Sequence, residues 1–107
     1  MTLKEKLTAL RKLFSDKRHW TRLAYSTPAS KSLTKRKCYC LAGGLNKISG
    51  RDRDADIPES EARVLGFDED YDMFSWNDNV NRTIGQVRTR IDEALAQLNK
   101  KNKKFSV

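Results

Sequence analysis

The sequence predicts an all-α fold: a small bundle of three main helices plus one short helix, with an ordered aromatic and acidic loop before the last helix. Three apolar stripes carry that reading. Ile84, Val87, Ile91, Ala94, Leu95 and Leu98 recur at a 3.6-residue period. Leu3, Leu7, Leu10 and Phe14 follow at steps of four, three and four. Cys38, Leu41, Ala42, Leu45 and Ile48 share a third helical face.

Taken in chain order, the first helix is expected from Thr2 to about Lys17. Thr2 and Glu5 have capping-box spacing: the hydroxyl accepts from the N3 amide and the carboxylate reaches back to the cap amide. Lys17, Arg18 and His19 suit the negative end of the helix dipole. From His19 to about Thr34 the Ser, Thr and Pro content predicts irregular chain, tacked to the core by Trp20, Leu23 and Tyr25. The second helix is expected over Lys35–Ser49, with Thr34 or Ser32 as N-cap and Gly50 as a left-handed C-cap. Gly43 and Gly44 inside it cost about 1 kcal/mol each against alanine. Such a pair implies close approach by another backbone or by a ring, with Trp20 and Trp76 as candidates.

A charged connection, Arg51 to Ile57, leads to Pro58, which suits the first turn of a short helix ending at Leu65 before Gly66. Phe67 to Asn81 interleaves Tyr71, Met73, Phe74 and Trp76 with acids and is read as an ordered loop or short strand. Thr83 with Gln86 repeats the capping-box spacing and opens the last helix, which should fade near Asn99. The division is thus a single helical domain, 1–99, and a mobile basic tail, 100–107. Leu7, Leu10, Phe14, Leu41, Leu45, Ile84, Val87, Ile91 and Leu95 form the expected core. A core this small leaves a monomer and a homodimer both open.

The chain has 107 residues, 22 Lys and Arg, 14 Asp and Glu, and a formal net charge of +8. That charge is segregated: +10 over residues 1–50, −7 over 51–80 and +5 over 81–107. The acidic middle can neutralise part of the basic flanks, so only cations left without an acidic neighbour speak for a polyanionic partner. No apolar run approaches the ~20 residues of a membrane span. The N-terminus lacks a secretory h-region, which places the expected site of action in the cytoplasm, a host's cytoplasm for a phage-encoded chain.

Enzymatic and metal chemistry find little support in the residues, and neither a catalytic residue, a metal nor a cofactor is expected. Cys38 and Cys40 would point about 200° apart on a helix, too far to share a metal or a disulfide; Cys38 is read as a small buried apolar residue. His19 has no second histidine for a zinc site. Asp52, Asp54 and Asp56 imitate a calcium loop, but Ile57 stands where glycine is needed and Arg63 where glutamate is needed. Gly43-Gly44 lacks the Lys-Ser pair of a phosphate loop. Asp68, Glu69, Asp70 and Asp72 read as a solvated acidic face.

Trp76, Asn77, Asp78, Arg82 and Thr83 admit two readings. In one, Asn77 or Asp78 makes an Asx-turn, Arg82 pairs with Asp78, Thr83 caps the last helix and Trp76 covers Gly43-Gly44. In the other, Arg82, the amides after Thr83 and Trp76 form a candidate anion or nucleotide pocket.

The order His19-Trp20, Cys38-Tyr39-Cys40-Leu41-Ala42-Gly43-Gly44-Leu45, Trp76-Asn77-Asp78 and Arg82-Thr83 resembles a family of small uncharacterised domains from bacteriophages and actinobacteria. The resemblance spans roughly residues 3 to 98 and implies an origin and a fold, with no activity to transfer.

Two functional readings follow. The first is weakly specific binding of DNA or RNA through Lys17, Arg18, Arg22, Lys31, Lys35, Arg36, Lys37, Lys100 and Lys101, with Trp20, Tyr25 and Tyr39 as stacking groups. The second is a counter-defence or host-takeover protein. It would bind a host protein through Tyr71, Phe74 and Tyr39, or sequester a nucleotide signal.

Overall fold

A computed structural model describes residues 1–21, 26–27 and 38–105. Five helices dominate: α1 (Leu3–Leu13), α2 (Leu41–Ser49), α3 (Glu59–Val64), α4 (Asp70–Asn77) and α5 (Ile84–Phe105). A 3₁₀ turn (Lys17–His19) follows α1. Two short strands, β1 (Ser26–Thr27) and β2 (Cys38–Tyr39), pair antiparallel. The all-α class holds. Among the described residues no helix is long and apolar enough to cross a membrane.

Both capping boxes form. Thr2 N donates to Glu5 Oε1 at 3.0 Å while Glu5 N donates to Thr2 Oγ1 at 3.1 Å. Thr83 N donates to Gln86 Oε1 at 3.0 Å and Gln86 N to Thr83 Oγ1 at 3.2 Å. Helix α5 extends beyond its expected end near Asn99, through Lys100 and Lys101 to Phe105. Its last turns consist of Asn, Lys and Phe, without a glycine or proline to stop them.

Helices α1 and α5 run antiparallel: Arg11 meets Asp92 at 2.8 Å, and Arg88 reaches back to the carbonyls of Phe14 at 2.6 Å and Ser15 at 2.7 Å. Those two carbonyls lie at the open end of α1, where cationic donors are favoured. On its other side α1 packs on α2. Gly44 makes that contact possible, since a Cβ there would lie 2.9 Å from Phe14 Cζ and 3.2 Å from Leu10 Cδ1. The ring against the glycine is therefore Phe14, and neither tryptophan. The core is Leu7, Leu10, Phe14, Leu41, Leu45, Val87 and Ile91, joined by Leu65 and Met73; Ile84 and Leu95 are half-buried at its edge.

Three sequence expectations change. Phe67–Asn81 contains a helix, α4, which buries Met73 and Asn77 one turn apart. Asn77 is polar, so the apolar periodicity of that face is broken and the segment reads as a loop. The second helix begins at Leu41, not Lys35, with Cys40 as its N-cap. Cys40 Sγ accepts from Gly43 N at 3.3 Å, so Cys40 is the buried thiol and Cys38, in β2, is half-buried. The proposed caps Ser32 and Thr34, and the anchors Leu23 and Tyr25, lie outside the described residues.

The link from α2 to α3 hangs on buried polar groups. Asn46, fully buried, accepts from Arg51 Nε at 2.7 Å and donates to the carbonyl of Ala55 at 2.9 Å. Arg51 also grips Glu61 on α3 through Nη2 at 2.6 Å and Nη1 at 3.1 Å, and Lys6 of α1 adds a bond to Glu61 at 3.0 Å. Burial alone would push the Glu61 carboxyl up; the hydrogen bonds from Arg51 and then Lys6, with their charges, hold it below the ordinary carboxylate value.

Candidate functional site

The Trp76–Thr83 element is built around Asn77. Its Oδ1 accepts from Trp20 Nε1 at 2.8 Å and from Leu41 N, the first amide of α2, at 3.1 Å. Its Nδ2 donates to the carbonyl of Thr21 at 3.2 Å and to Asp78 Oδ1 at 3.1 Å. One buried carboxamide thus joins the end of α4, the start of α2 and the Trp20 segment. The Asx-turn belongs to Asn79, whose Oδ1 accepts from Asn81 N at 2.9 Å.

Arg82 does not pair with Asp78. Its Nε donates to the carbonyl of Trp76 at 2.8 Å, and its guanidinium carbon stands 4.0 Å from the centroid of the Trp76 ring. Arg90 approaches the same ring at 4.8 Å and the Phe67 ring at 4.8 Å, and donates to the carbonyl of Leu65 at 3.2 Å. Phe67 meets Trp76 edge-on at 5.8 Å. Gly66, at φ +87°, admits Arg90, whose Nη1 would lie 2.7 Å from a Cβ at that position. An open cleft of about 490 Å³ lies over these groups, bounded by Arg82, Gln86, Thr89, Arg90 and Glu93. Of the amides at the start of α5, that of Gln86 is taken by Thr83 Oγ1, while that of Thr83 itself donates to Gln86 Oε1.

The basic residues separate into two places. Lys17 and Arg18 sit in the 3₁₀ turn, both exposed, with Arg18 locked onto Asp16 by three bonds of 2.8 to 3.1 Å. Asp16 raises the already high guanidinium value of Arg18 through hydrogen bonding and charge. Cys38 Sγ donates to the Arg18 carbonyl at 2.7 Å, and Thr21 N donates to the Tyr39 carbonyl at 2.9 Å. The start of β2 therefore lies against the 3₁₀ turn, and Lys37 precedes Cys38 directly in sequence. Arg22, Lys31, Lys35, Arg36 and Lys37 themselves fall outside the described residues.

Lys100 and Lys101 are elsewhere. Antiparallel packing puts them toward the start of α1, twelve and thirteen residues past Arg88, or roughly 18 Å along the helix axis.

A second cleft, of about 680 Å³, lies beside the 3₁₀ turn between the end of α1 and the end of α2. Leu13 and Ile48 line it, with Lys12, Lys47 and His19 around them. Neither Lys12 nor Lys47 stood out in sequence. Each is one polar residue on the outer face of its helix, and only the α1–α2 packing through Gly44 brings them together. Of the aromatic groups, Tyr39 is buried and unavailable for stacking, Phe74 and Trp20 are half-buried, and Tyr71 is exposed.

Among the described residues, no three or more His, Cys, Asp and Glu side chains converge to hold a metal ion. Burial pushes the Cys40 thiol up, away from the thiolate a nucleophile needs, although the amide of Gly43 opposes this.

A helical domain of this size, held by buried asparagines and arginine–indole stacking, is the molecular class that fold and site define. The chain belongs to DUF6197, a family of unknown function, whose model matches residues 1–97. Neither the curated proteins nor the solved structures contain a match to it.

Proposed function

We propose that this protein is a non-enzymatic accessory protein, of the phage type its resemblance implies, that binds DNA or RNA as a polyanion with weak sequence preference. The observation that supports this reading is the state of its lysines. Lys12, Lys17 and Lys47 surround one end of the α1–α2 pair, and among the described residues none of them is engaged in an ion pair. The start of β2 docks there through Cys38, and the basic run Lys35-Arg36-Lys37 precedes it in sequence. Lysine heads are flexible point charges that follow a phosphate backbone without reading bases. Lys100 and Lys101, at the far end of α5, would add nonspecific affinity as a separate patch.

Fluorescence anisotropy with labelled single- and double-stranded oligonucleotides, titrated across salt, tests the proposal. Binding should weaken with a log–log slope of about −0.7 to −0.9 per phosphate contacted. Replacing Lys12, Lys17 and Lys47 together by Gln should make the slope shallower by about two to three. Binding that is absent at low salt, or flat between roughly 50 and 200 mM, would refute it. The exposed Tyr71 on acidic α4 favours a second reading, capture of a host protein. A specific partner that survives nuclease treatment and is lost on Tyr71→Ala would support that reading instead.

A further inference from the structure

Two guanidinium groups gather on one indole, and among the described residues neither forms an ion pair with a carboxylate. Arg82 and Arg90 stand 4.0 and 4.8 Å from the centroid of the Trp76 ring. Each is bonded to a backbone carbonyl, Trp76 for one and Leu65 for the other. A carbonyl orients a guanidinium but leaves its charge in place. Arg11, Arg18, Arg51 and Arg63 each hold a carboxylate, and Arg88, which also rests on carbonyls, spans two of them at the end of α1. Glu93 borders the same cleft, yet among the described residues it forms no ion pair with either arginine.

Like charges held this close repel, and burial and the charge of Arg90 both lower the Arg82 guanidinium value. An anion entering the cleft would relieve that repulsion. Planar guanidinium forks match the oxygen geometry of phosphate, and the side-chain NH2 of Gln86 adds a donor beside them, its Oε1 being taken by Thr83 N and Arg82. The cleft, about 490 Å³, is shallow and widely open to solvent, with a volume within the roughly 300–1,000 Å³ of small-molecule sites.

We infer that the cleft formed by Trp76, Arg82 and Arg90 binds a phosphate monoester, carried either by a free mononucleotide or by the 5′ end of a nucleic acid strand. The site is distinct from the lysine-lined end of the domain. Gln86, Thr89, Arg90 and Glu93 border the cleft from α5 and Arg82 from just before it, whereas Arg88 and Asp92 face α1.

Titration calorimetry with AMP, adenosine and inorganic phosphate tests the site, together with matched 5′-phosphorylated and 5′-hydroxyl oligonucleotides. AMP or the 5′-phosphorylated strand should bind with a Kd of about 1 mM or tighter, and adenosine should not bind. Arg82→Gln should weaken binding by about tenfold or more. Glu93→Gln, which removes a repelling charge and breaks no bond, should strengthen it by about threefold and guards against misfolding of the arginine variant. Preference for the phosphorylated over the hydroxyl strand assigns the strand end, and AMP binding without that preference assigns the free nucleotide. The inference is overturned if no phosphate-bearing probe binds, or if neither variant changes the affinity.

Discussion

Replacing Asn77 by Ala should be among the most damaging single changes in the domain. The side chain is 1% exposed and makes four hydrogen bonds, at 2.8, 3.1, 3.1 and 3.2 Å. Leu41 is fully buried, so when Oδ1 is removed its amide has no water to turn to. A buried donor left in that state costs about 1–3 kcal/mol. Trp20 is half-buried, so its indole N–H recovers part of its bond from solvent, and that arm adds about 1 kcal/mol. With the lost donations to Thr21 and Asp78, the total comes to about 3 kcal/mol, a large share of the roughly 5–15 kcal/mol that holds a domain folded.

Urea denaturation followed by circular dichroism measures it. With a slope of about 1.5 kcal/mol per molar, the midpoint should fall by about 2 M. Trp20→Phe removes only the indole donor and should cost about 1 kcal/mol alone, but less than half of that in the Asn77→Ala background. Asn77→Asp keeps the acceptor while setting a carboxylate against Asp78 and the Thr21 carbonyl. It should be destabilising at neutral pH and recover partly in acid, where a protonated carboxyl can donate again. An Asn77→Ala stability within about 0.5 kcal/mol of the parent, or full additivity with Trp20→Phe, would refute the hub.

Other expectations follow from the same packing. Gly44→Ala normally favours a helix by about 1 kcal/mol, but here the new methyl would meet Phe14 at 2.9 Å; Tm should drop by roughly 5 °C, and a rise would contradict the α1–α2 contact. Arg88→Ala should cost about 1–2 kcal/mol in denaturation, and Arg88→Lys should restore less than half, because an ammonium cannot span the Phe14 and Ser15 carbonyls as a fork does. Glu61→Gln should cost about 2–3 kcal/mol at pH 7. The folded-state carboxyl lies below its unfolded value, so this stabilisation is complete above the ordinary carboxylate value near 4.3 and is lost as pH falls through the lower folded value. The two stability curves should therefore converge in acid, and a gap that persists unchanged to pH of about 2 would show that Glu61 acts by packing alone.

What could be read in the sequence was what depends on apolar spacing and local capping. Helices α1 and α5, the short helix before Gly66, both capping boxes and most core positions follow from a few neighbouring residues. Helix α4 did not, because Asn77 occupies a buried position with its polar groups satisfied across the fold, and the true start of α2 did not, because its cap is a buried cysteine rather than the usual Ser, Thr, Asp or Asn. A period search scores Asn77 as surface, and no local pattern says that Trp20 and Leu41, 57 and 36 residues away, will bond to it. Asn46 escaped notice for the same reason, since its value comes from the Arg51 and Ala55 groups that the α2–α3 connection folds over it.

The net charge of +8 divides along chemical lines that sequence position hides. Among the described residues, Arg11, Arg18, Arg51 and Arg63 are matched to carboxylates, and Arg82, Arg88 and Arg90 are fixed on carbonyls. Lys4, Lys12, Lys17, Lys47 and Lys100 have no such engagement, and Lys6 on Glu61 is the lysine that does. Arg53 aside, which is exposed and holds neither, the planar fork serves architecture and the mobile ammonium is left to solvent. Among the described residues, few direct ion pairs join the acidic middle of the chain to its basic flanks. Asp52, Asp54, Asp56, Asp68, Glu69 and Asp72 form no ion pair among the described residues, and Lys6–Glu61 is the one described bridge from a basic flank to that middle.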